Sequence, residues 1–183
     1  MTSILKVDQL QDSGGNAILT SNGAGSITTA SGLNTAITNA GFVTSANAGK
    51  VLQVLTATDS TQRTTTSTSF TDAGGTLAVA ITPSSASNKI LILMTSGGGN
   101  NGTGTSSYSV YRDATNLGNG SNGFLSIQSA GGQIQSQVAV NYLDSPSTTS
   151  SITYRVYFRA SANTAYLNLN NNPGSITVLE IAG

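Results

Sequence analysis

Short runs in which apolar and polar positions alternate, separated by clusters of turn-forming residues, fill most of the chain. The most apolar run is residues 88–95, N-K-I-L-I-L-M-T, where five apolar side chains follow one another. Such a run is too short for a helix, and it lies between a Ser-rich stretch and the glycine-rich residues 97–104. We therefore predict a strand that is buried on both faces near the centre of a sheet.

Further strands are predicted wherever apolar positions alternate between turn residues. They fall at residues 51–55, 63–70, 77–82, 108–112, 124–128, 134–142, 152–159, 165–169 and 176–181. The threonine-rich run 63–70 favours the edge of a sheet or a solvated face, and the glycine-rich runs 97–104 and 116–123 are predicted to be flexible loops. Strands at this spacing, uninterrupted by a helical period, predict an all-β fold with a jelly-roll-like β-sandwich head.

The first part of the chain follows another pattern. Two short apolar stretches lie on either side of the turn D-S-G-G-N at residues 12–16, which predicts a β-hairpin. Its apolar side chains include Ile4, Leu5, Val7, Leu10, Ile18 and Leu19. Because an isolated hairpin is only marginally stable in water, this segment is expected either to pack on its own domain or to dock on a neighbouring protein.

Residues 21–49 are rich in Gly, Ala, Ser, Thr and Asn. The spacing of Leu33 and Ile37 predicts one or two helical turns there, and the segment is interpreted as a collar or a plain surface loop. The predicted organisation is thus a short extended N-terminal arm with a collar, residues 1–48, followed by a β-sandwich head, residues 49–183.

Charge is scarce and balanced, with seven basic and seven acidic residues among 183. The chain therefore has no net field that would attract a polyanion, which disfavours nucleic acid and anionic membranes as main partners. No apolar run is long enough for a signal peptide or a membrane helix, so neither membrane insertion nor export by that route is expected.

The sequence offers few residues that could carry out catalysis or bind a cofactor. The chain contains no Cys and no His, which excludes Cys/His zinc sites, thiol nucleophiles and imidazole bases. Carboxylate chemistry of the glycosidase type needs a pair of acids, but Asp59, Asp72, Asp113 and Asp144 occupy turns or strand ends. The glycine-rich run 97–104 lacks the ending of a phosphate loop. We expect no enzyme activity, no metal and no cofactor.

Two parts of the sequence resemble a known class of proteins. The opening I-L-K-V-D-Q-L-Q-D-S-G-G-N, residues 4–16, resembles the N-terminal module of virion structural and tail-fibre-like proteins of tailed phages, as in cyanophages and other aquatic phages. Five stretches of the head resemble the C-terminal head of the same proteins. They are G-K-V-L-Q-V, T-P-S-S-A-S-N-K-I-L-I-L, Y-L-D-S-P-S-T-T-S, I-T-Y-R-V and S-I-T-V-L-E-I-A-G.

The resemblance implies a homotrimeric protein on the virion surface, assembled in the bacterial host cytoplasm. Only residues 21–49 separate arm from head, whereas tail fibres carry a long repetitive shaft. A capsid decoration protein, also called a cement or head-fibre protein, is therefore the expected function. Its arm would bind the major capsid protein through the apolar hairpin residues named above and stabilise the capsid.

The alternative is a short tail fibre or receptor-binding protein, held by a tail or adaptor protein, whose head contacts a host glycan. The candidate exposed recognition surface consists of Asn100, Asn101, Tyr108, Tyr111, Arg112, Asn122 and Phe124. For Tyr108 and Tyr111, packing within the sheet is the competing interpretation, and we favour it over a sugar site.

Overall fold

The computed structural model describes residues 9–21, 27–29 and 49–183, and the chain divides into two compact units, Met1–Ala48 and Gly49–Gly183. The described strands are β1 (Gln9–Gln11), β2 (Ala17–Ser21), β3 (Ile27–Thr29), β4 (Val51–Asp59), β5 (Arg63–Thr65), β6 (Thr71–Asp72), β7 (Ala78–Ile81), β8 (Lys89–Asn100), β9 (Gly104–Arg112), β10 (Thr115–Asn116), β11 (Leu125–Ser129), β12 (Ile134–Asp144), β13 (Ile152–Ala160), β14 (Ala165–Leu167) and β15 (Gly174–Ile181). A 3₁₀ turn, Leu169–Asn171, follows β14.

In the first unit, β1, β2 and β3 form an antiparallel meander. The predicted hairpin turn is present: the Asp12 carboxylate accepts hydrogen bonds from the backbone N–H groups of Gly14 and Asn16, at 2.8 and 2.9 Å. Gly15 has a positive φ of 79°, which glycine adopts without strain. The predicted helical turn at Leu33 and Ile37 lies outside the described residues.

The second unit consists of two six-stranded antiparallel sheets. Sheet 1 contains β6, β7, β9, β10, β11 and β13, and sheet 2 contains β4, β5, β8, β12, β14 and β15. Side chains from the inner sides of both sheets form one hydrophobic core. The chain crosses more than once between the two sheets. Strands β8 and β9 lie in opposite sheets, and so do β12 and β13. The predicted all-β sandwich is confirmed, while the jelly-roll connectivity stays a prediction.

Strand β8 lies in the middle of sheet 2, as expected. Strand β12 pairs along one side of it, and β15 and β14 pair along the other. Ile90, Ile92 and Met94 are buried, but Leu93 on the opposite side is 38% exposed. The prediction of burial on both faces was wrong, because the second layer covers sheet 2 on one side only.

The glycine-rich residues that follow this apolar run continue the strand to Asn100 and are buried from Gly97 onward. The predicted flexible loop at residues 97–104 is therefore wrong for its first half. A Cβ on Gly98 would lie 2.7 Å from the Tyr108 hydroxyl oxygen and would also collide with Val138. Glycine is required here because a tyrosine from sheet 1 packs directly on the backbone of sheet 2.

Strand β13 shows the predicted alternation in its simplest form, with every second residue from Ile152 to Ala160 buried. At one end of the sandwich its Tyr154 donates a hydrogen bond to Asp144, at 2.7 Å, and Arg112 donates to both oxygens of the same carboxylate, at 2.8 and 2.9 Å. Burial and the neighbouring Asp144 raise the pKa of the Tyr154 phenol. This buried cluster ties the two sheets together, since Asp144 belongs to sheet 2.

Candidate functional site

The outer side of sheet 2 presents four aliphatic side chains in one line across its strands. Leu143 lies opposite Leu91, Leu91 opposite Leu179, and Leu179 opposite Val54. We call these four residues the aliphatic row; it crosses three strand spacings, about 14 Å. Val54 is 55% exposed and Leu143 is 47% exposed, so both ends of the row face outward.

Further exposed aliphatic side chains extend the row along the strands. They are Val51 and Leu52 in β4, and Leu93 in β8. Of the outward-facing positions in β4, β12, β15 and residues 89–95, only Lys89 carries a charge. Strand β4 pairs with β15 on one side only within the described part of the chain, so its other edge offers unpaired backbone groups. This surface is suited to contact with another apolar protein surface.

The outer side of sheet 1 has a different chemistry. The rings of Tyr111 and Tyr157 stack with their centroids 4.0 Å apart, and the Phe70 ring lies 6.1 Å from that of Tyr111. Arg159 places its guanidinium 5.5 Å from the centre of the Phe70 ring, and Arg155 lies opposite Tyr111. We call these five residues the aromatic face. Burial and the nearby Tyr157 raise the pKa of the Tyr111 phenol, which therefore remains neutral at pH 7.

The two arginines of the aromatic face have different partners. Arg155 forms an ion pair with Asp72 at 2.9 Å. Arg159 donates from Nη1 to the Thr68 carbonyl at 2.8 Å, and its buried Nε–H has no hydrogen-bond partner. No ion pair to Arg159 forms among the described residues. The guanidinium of Arg159 is therefore the cation on this face that an anion could still reach.

The structure does not bring the predicted recognition residues together. Tyr108 and Asn100 are fully buried, so their assignment to an exposed surface was wrong. The Tyr108 hydroxyl accepts a hydrogen bond from the Gly99 N–H, at 2.8 Å, and donates to the Tyr166 carbonyl, at 2.7 Å. The Asn100 side-chain amide donates to Ser106, at 3.1 Å. Both side chains hold the two sheets together and are enclosed by them.

The other predicted recognition residues are distributed over separate places. Arg112 binds the buried Asp144, and Phe124 packs on Tyr142 with ring centroids 5.0 Å apart. Asn101 and Asn122 are exposed in turns, and Tyr111 belongs to the aromatic face. Only Tyr111 thus lies on a surface with several distinctive side chains.

Of the predicted attachment residues, Ile4, Leu5 and Val7 lie outside the described residues. Leu10 and Leu19 face each other across β1 and β2, and Leu10 is 50% exposed. Ile18 is half-buried on the next position of β2. The described part of the hairpin therefore carries an apolar pair that is largely open to contact.

The acidic residues of the described chain are each engaged within the fold. Glu180 is the most enclosed: its carboxylate accepts hydrogen bonds from Gln53 and Asn88, both at 2.6 Å, and from the backbone and hydroxyl of Ser84, at 2.6 and 2.8 Å. Burial alone would raise the pKa of Glu180, but these four donors outweigh it and lower the pKa to about 2. Within the described part of the chain, this buried carboxylate has no cationic partner.

The remaining described carboxylates serve turns or ion pairs. Burial would raise the pKa of Asp59, but hydrogen bonds from Thr76, Thr61 and Arg63 hold it well below its usual range. Asp72 pairs with Arg155, Asp113 accepts from the Thr153 N–H, and Asp144 binds Arg112 and Tyr154. An acid held in this way is poorly placed to exchange protons with a substrate.

Sequence reasoning missed Phe70, Tyr157 and Arg159. The signal for two of them was present: in R-V-Y-F-R, residues 155–159, the two-residue period that buries Val156 and Phe158 also places the other three side chains on one outward face. Phe70 had no such signal, since it follows the short strand β5 and reaches the face through a loop.

No family model matches the chain, and no curated protein sequence matches it either. The described residues include no helix long and apolar enough to cross a membrane. They also include no group of three or more His, Cys, Asp or Glu that could hold a metal ion.

Proposed function

We propose that the chain is a non-enzymatic phage virion surface protein, a homotrimeric capsid decoration protein that binds the major capsid protein through its N-terminal arm and stabilises the capsid. Support from the sequence is the resemblance of residues 4–16 and of the head stretches to virion structural proteins. The observation that carries the proposal is the exposed, nearly uncharged aliphatic row on sheet 2, which favours a subunit of a larger assembly.

The exposed side chains of the aliphatic row would gain free energy on being covered. Full burial of a Leu or Val side chain contributes about 1.5–3 kcal/mol. Covering the exposed halves of Val54 and Leu143, together with their neighbours in β4, would therefore contribute several kcal/mol for each subunit. Since Lys89 is the one charged side chain among the described outward positions beside the row, three copies of this surface can pack around a three-fold axis without strong repulsion. We assign the contact between the copies of the trimer to this surface.

The arm would supply attachment. A three-stranded meander with an exposed Leu10 gains stability by packing on a neighbouring protein. One such contact is weak, but three arms in one trimer bind with much higher overall affinity, because the second and third contacts form at high effective concentration.

Non-enzymatic function agrees with the state of the carboxylates. Glu180 and Asp144 are buried, and each has its oxygens occupied by donors from the chain itself. The chain would then act through its surfaces alone.

A second function is favoured by the aromatic face: a short tail fibre or receptor-binding protein, held by a tail or adaptor protein, whose head contacts a host glycan. Exposed aromatic rings beside a cation are a common means of binding sugars and other ring compounds.

Deletion of residues 1–20 separates the two functions. A decoration protein without its arm should no longer bind capsids, and the particles should lose heat resistance, measured as the temperature at which DNA is released. The matched control is Gln137→Asp in the full-length chain, which changes an exposed residue of the head and should leave capsid binding intact. Normal particle stability, together with a truncated chain that still binds host cells, would instead support the receptor-binding function.

A further inference from the structure

We propose that the aromatic face of sheet 1 binds an acidic sugar, a pyranose ring that carries one carboxylate. This inference deepens the second candidate function by naming its ligand class. It depends on the side chains of the head alone, so its test does not depend on where in a particle the chain is placed.

The aromatic face concentrates side chains that are rare in this chain. The chain has ten Phe and Tyr residues in all and four Arg residues, in a composition dominated by Ser, Thr, Asn and Gly. Three of those ten rings and two of those four arginines meet on one outward side of one sheet. The core does not require them there, because the inner side of β13 is already filled by Tyr154, Val156 and Phe158.

The shape of the stacked tyrosine pair suits a sugar ring. Tyr111 and Tyr157 are nearly parallel, at 22°, and their residues lie on the adjacent strands β9 and β13. Both are half-buried, so each keeps an accessible part. The C–H groups of a pyranose ring carry partial positive charge and pack on the negative face of an aromatic ring. The phenol hydroxyls can donate to or accept from sugar hydroxyls.

The net charge of the aromatic face favours an anionic ligand. Arg155, Arg159 and Asp72 together leave one positive charge on the face (two cations and one anion, +2 − 1 = +1). That charge belongs to Arg159, whose only hydrogen bond in the described chain goes to a neutral carbonyl and whose Nε–H is unsatisfied. A buried donor without a partner weakens solvation of the whole guanidinium, so an anion that reaches its outer nitrogen gains more than it would from a fully hydrated arginine.

Together these features favour one carboxylate over a polyphosphate or a nucleic acid. A nucleic acid needs a series of cations along its backbone, and this face has one available. A neutral sugar would stack on the rings but leave Arg159 as it is. A single ring with a single carboxylate uses both the tyrosine pair and the arginine.

The test uses the full-length chain and two matched probes, methyl β-D-glucuronide and methyl β-D-glucoside, which differ only in the carboxylate. Binding is measured by NMR shifts of the tyrosine ring protons, which report on the face directly. We expect the glucuronide to bind about tenfold more tightly than the glucoside, with the preference lost at 1 M NaCl, since it depends on one charge. The shifts should be confined to Tyr111 and Tyr157, and buried Tyr108 should not respond.

Variants then assign the charge. Arg159→Gln should remove the preference for the glucuronide and leave weak glucoside binding unchanged. The matched control removes the ion pair as a whole, Arg155→Gln together with Asp72→Asn, which leaves the net charge of the face unchanged; it should retain most of the preference. Tyr157→Ala should weaken binding of both sugars about tenfold.

Three results would overturn the proposal: equal binding of the two sugars, shifts spread over tyrosines away from this face, or equal loss of preference in the two arginine variants. The measurements on the unmodified chain decide the matter even where Arg159→Gln disturbs the loop that Arg159 holds through Thr68.

Discussion

The two outer sides of the head share one core and yet have opposite chemistry. On sheet 1, outward side chains satisfy one another: Arg155 binds Asp72, and Tyr111 stacks on Tyr157. On sheet 2, Leu143, Leu91 and Leu179 lie opposite one another in the aliphatic row, and Leu143 remains 47% exposed. We propose that the first side binds a small ligand with a ring and a charge, and that the second gains free energy by being covered. A fold of low charge can thus hold two different surfaces back to back.

The largest effect on stability is expected in the hydrophobic core that the two sheets share. Gly98→Val should lower the free energy of unfolding by about 3 kcal/mol or more, because the new side chain must displace both Tyr108 and Val138. Gly120→Val is the control, since a Cβ there meets nothing within 4 Å; it should change stability by less than about 0.5 kcal/mol. Urea unfolding followed by circular dichroism measures both. Similar losses in the two variants would contradict close contact between the sheets at Gly98.

The next effect should be confined to sheet 2. Glu180→Gln places an amide N–H₂ among four hydrogen-bond donors and should lower the free energy of unfolding at pH 7 by about 2–3 kcal/mol. Hydrogen exchange should accelerate in β4 more than in β13, because Gln53 of β4 is one of the donors. The control is Asp113→Asn, an exposed acid with one backbone donor, which should have a much smaller effect.

Glu180 also predicts how stability depends on pH. Its pKa in the folded chain is lowered to about 2 from an ordinary value of 4.5. Its contribution is therefore complete above about pH 4.5 and is lost as the pH falls towards 2. The unfolding midpoint of the wild-type chain should decrease over this range, and that part of the decrease should be absent from Glu180→Gln. A variant with the same acid sensitivity as the wild type would show that other groups determine it.

A smaller effect on folding but a clear effect on association is expected on the aliphatic row. Leu143→Asp should raise the dissociation constant of the proposed trimer about tenfold or more, because the carboxylate must lose water when the surface is covered. The free energy of unfolding of the subunit should change by less than about 0.5 kcal/mol. Gln137→Asp, on the same strand and the same outward side, is the control. Analytical ultracentrifugation that finds both variants equally associated would exclude the row from the contact.

The smallest effect on stability is expected on the outer side of sheet 1. Arg155→Gln breaks an ion pair whose partners are 40% and 36% exposed, and pairs of this kind contribute about 0.2–1 kcal/mol. Thermal unfolding should therefore change by a degree or so at low salt, and the difference should vanish in 1 M NaCl. A loss that persists in high salt would point to a packing role of the arginine stem on Tyr111.

The alternation of apolar and polar residues predicted the fold well in strands where every second side chain faces the core. It predicted β13 almost to the residue, and it predicted the position of β8 within its sheet. It failed where the second sheet intervened: nothing in G-G-G-N indicated that Tyr108 from another strand would fill the space that the absent Cβ atoms leave. Burial of Asn100 was missed for the same reason.

The surfaces were harder to predict than the layers. Each candidate surface is formed by strands that are far apart in sequence, so its members become neighbours only through the register of the sheet. Val54 and Leu143 are separated by most of the head, yet they close the two ends of one row. The alternation of Arg155, Tyr157 and Arg159 could have indicated an outward face, but not that Phe70 would join it.

The Tyr108 hydroxyl has a consequence for resistance to alkali. Burial raises the pKa of this phenol to about 12, against an ordinary value of 10. The hydrogen bonds between the Tyr108 phenol and the backbone of sheet 2 therefore contribute fully to stability below about pH 10. This contribution is lost as the pH approaches 12, because the phenol would then have to ionise while buried. In strongly basic solution this junction of the two layers should give way, and the head should open along it.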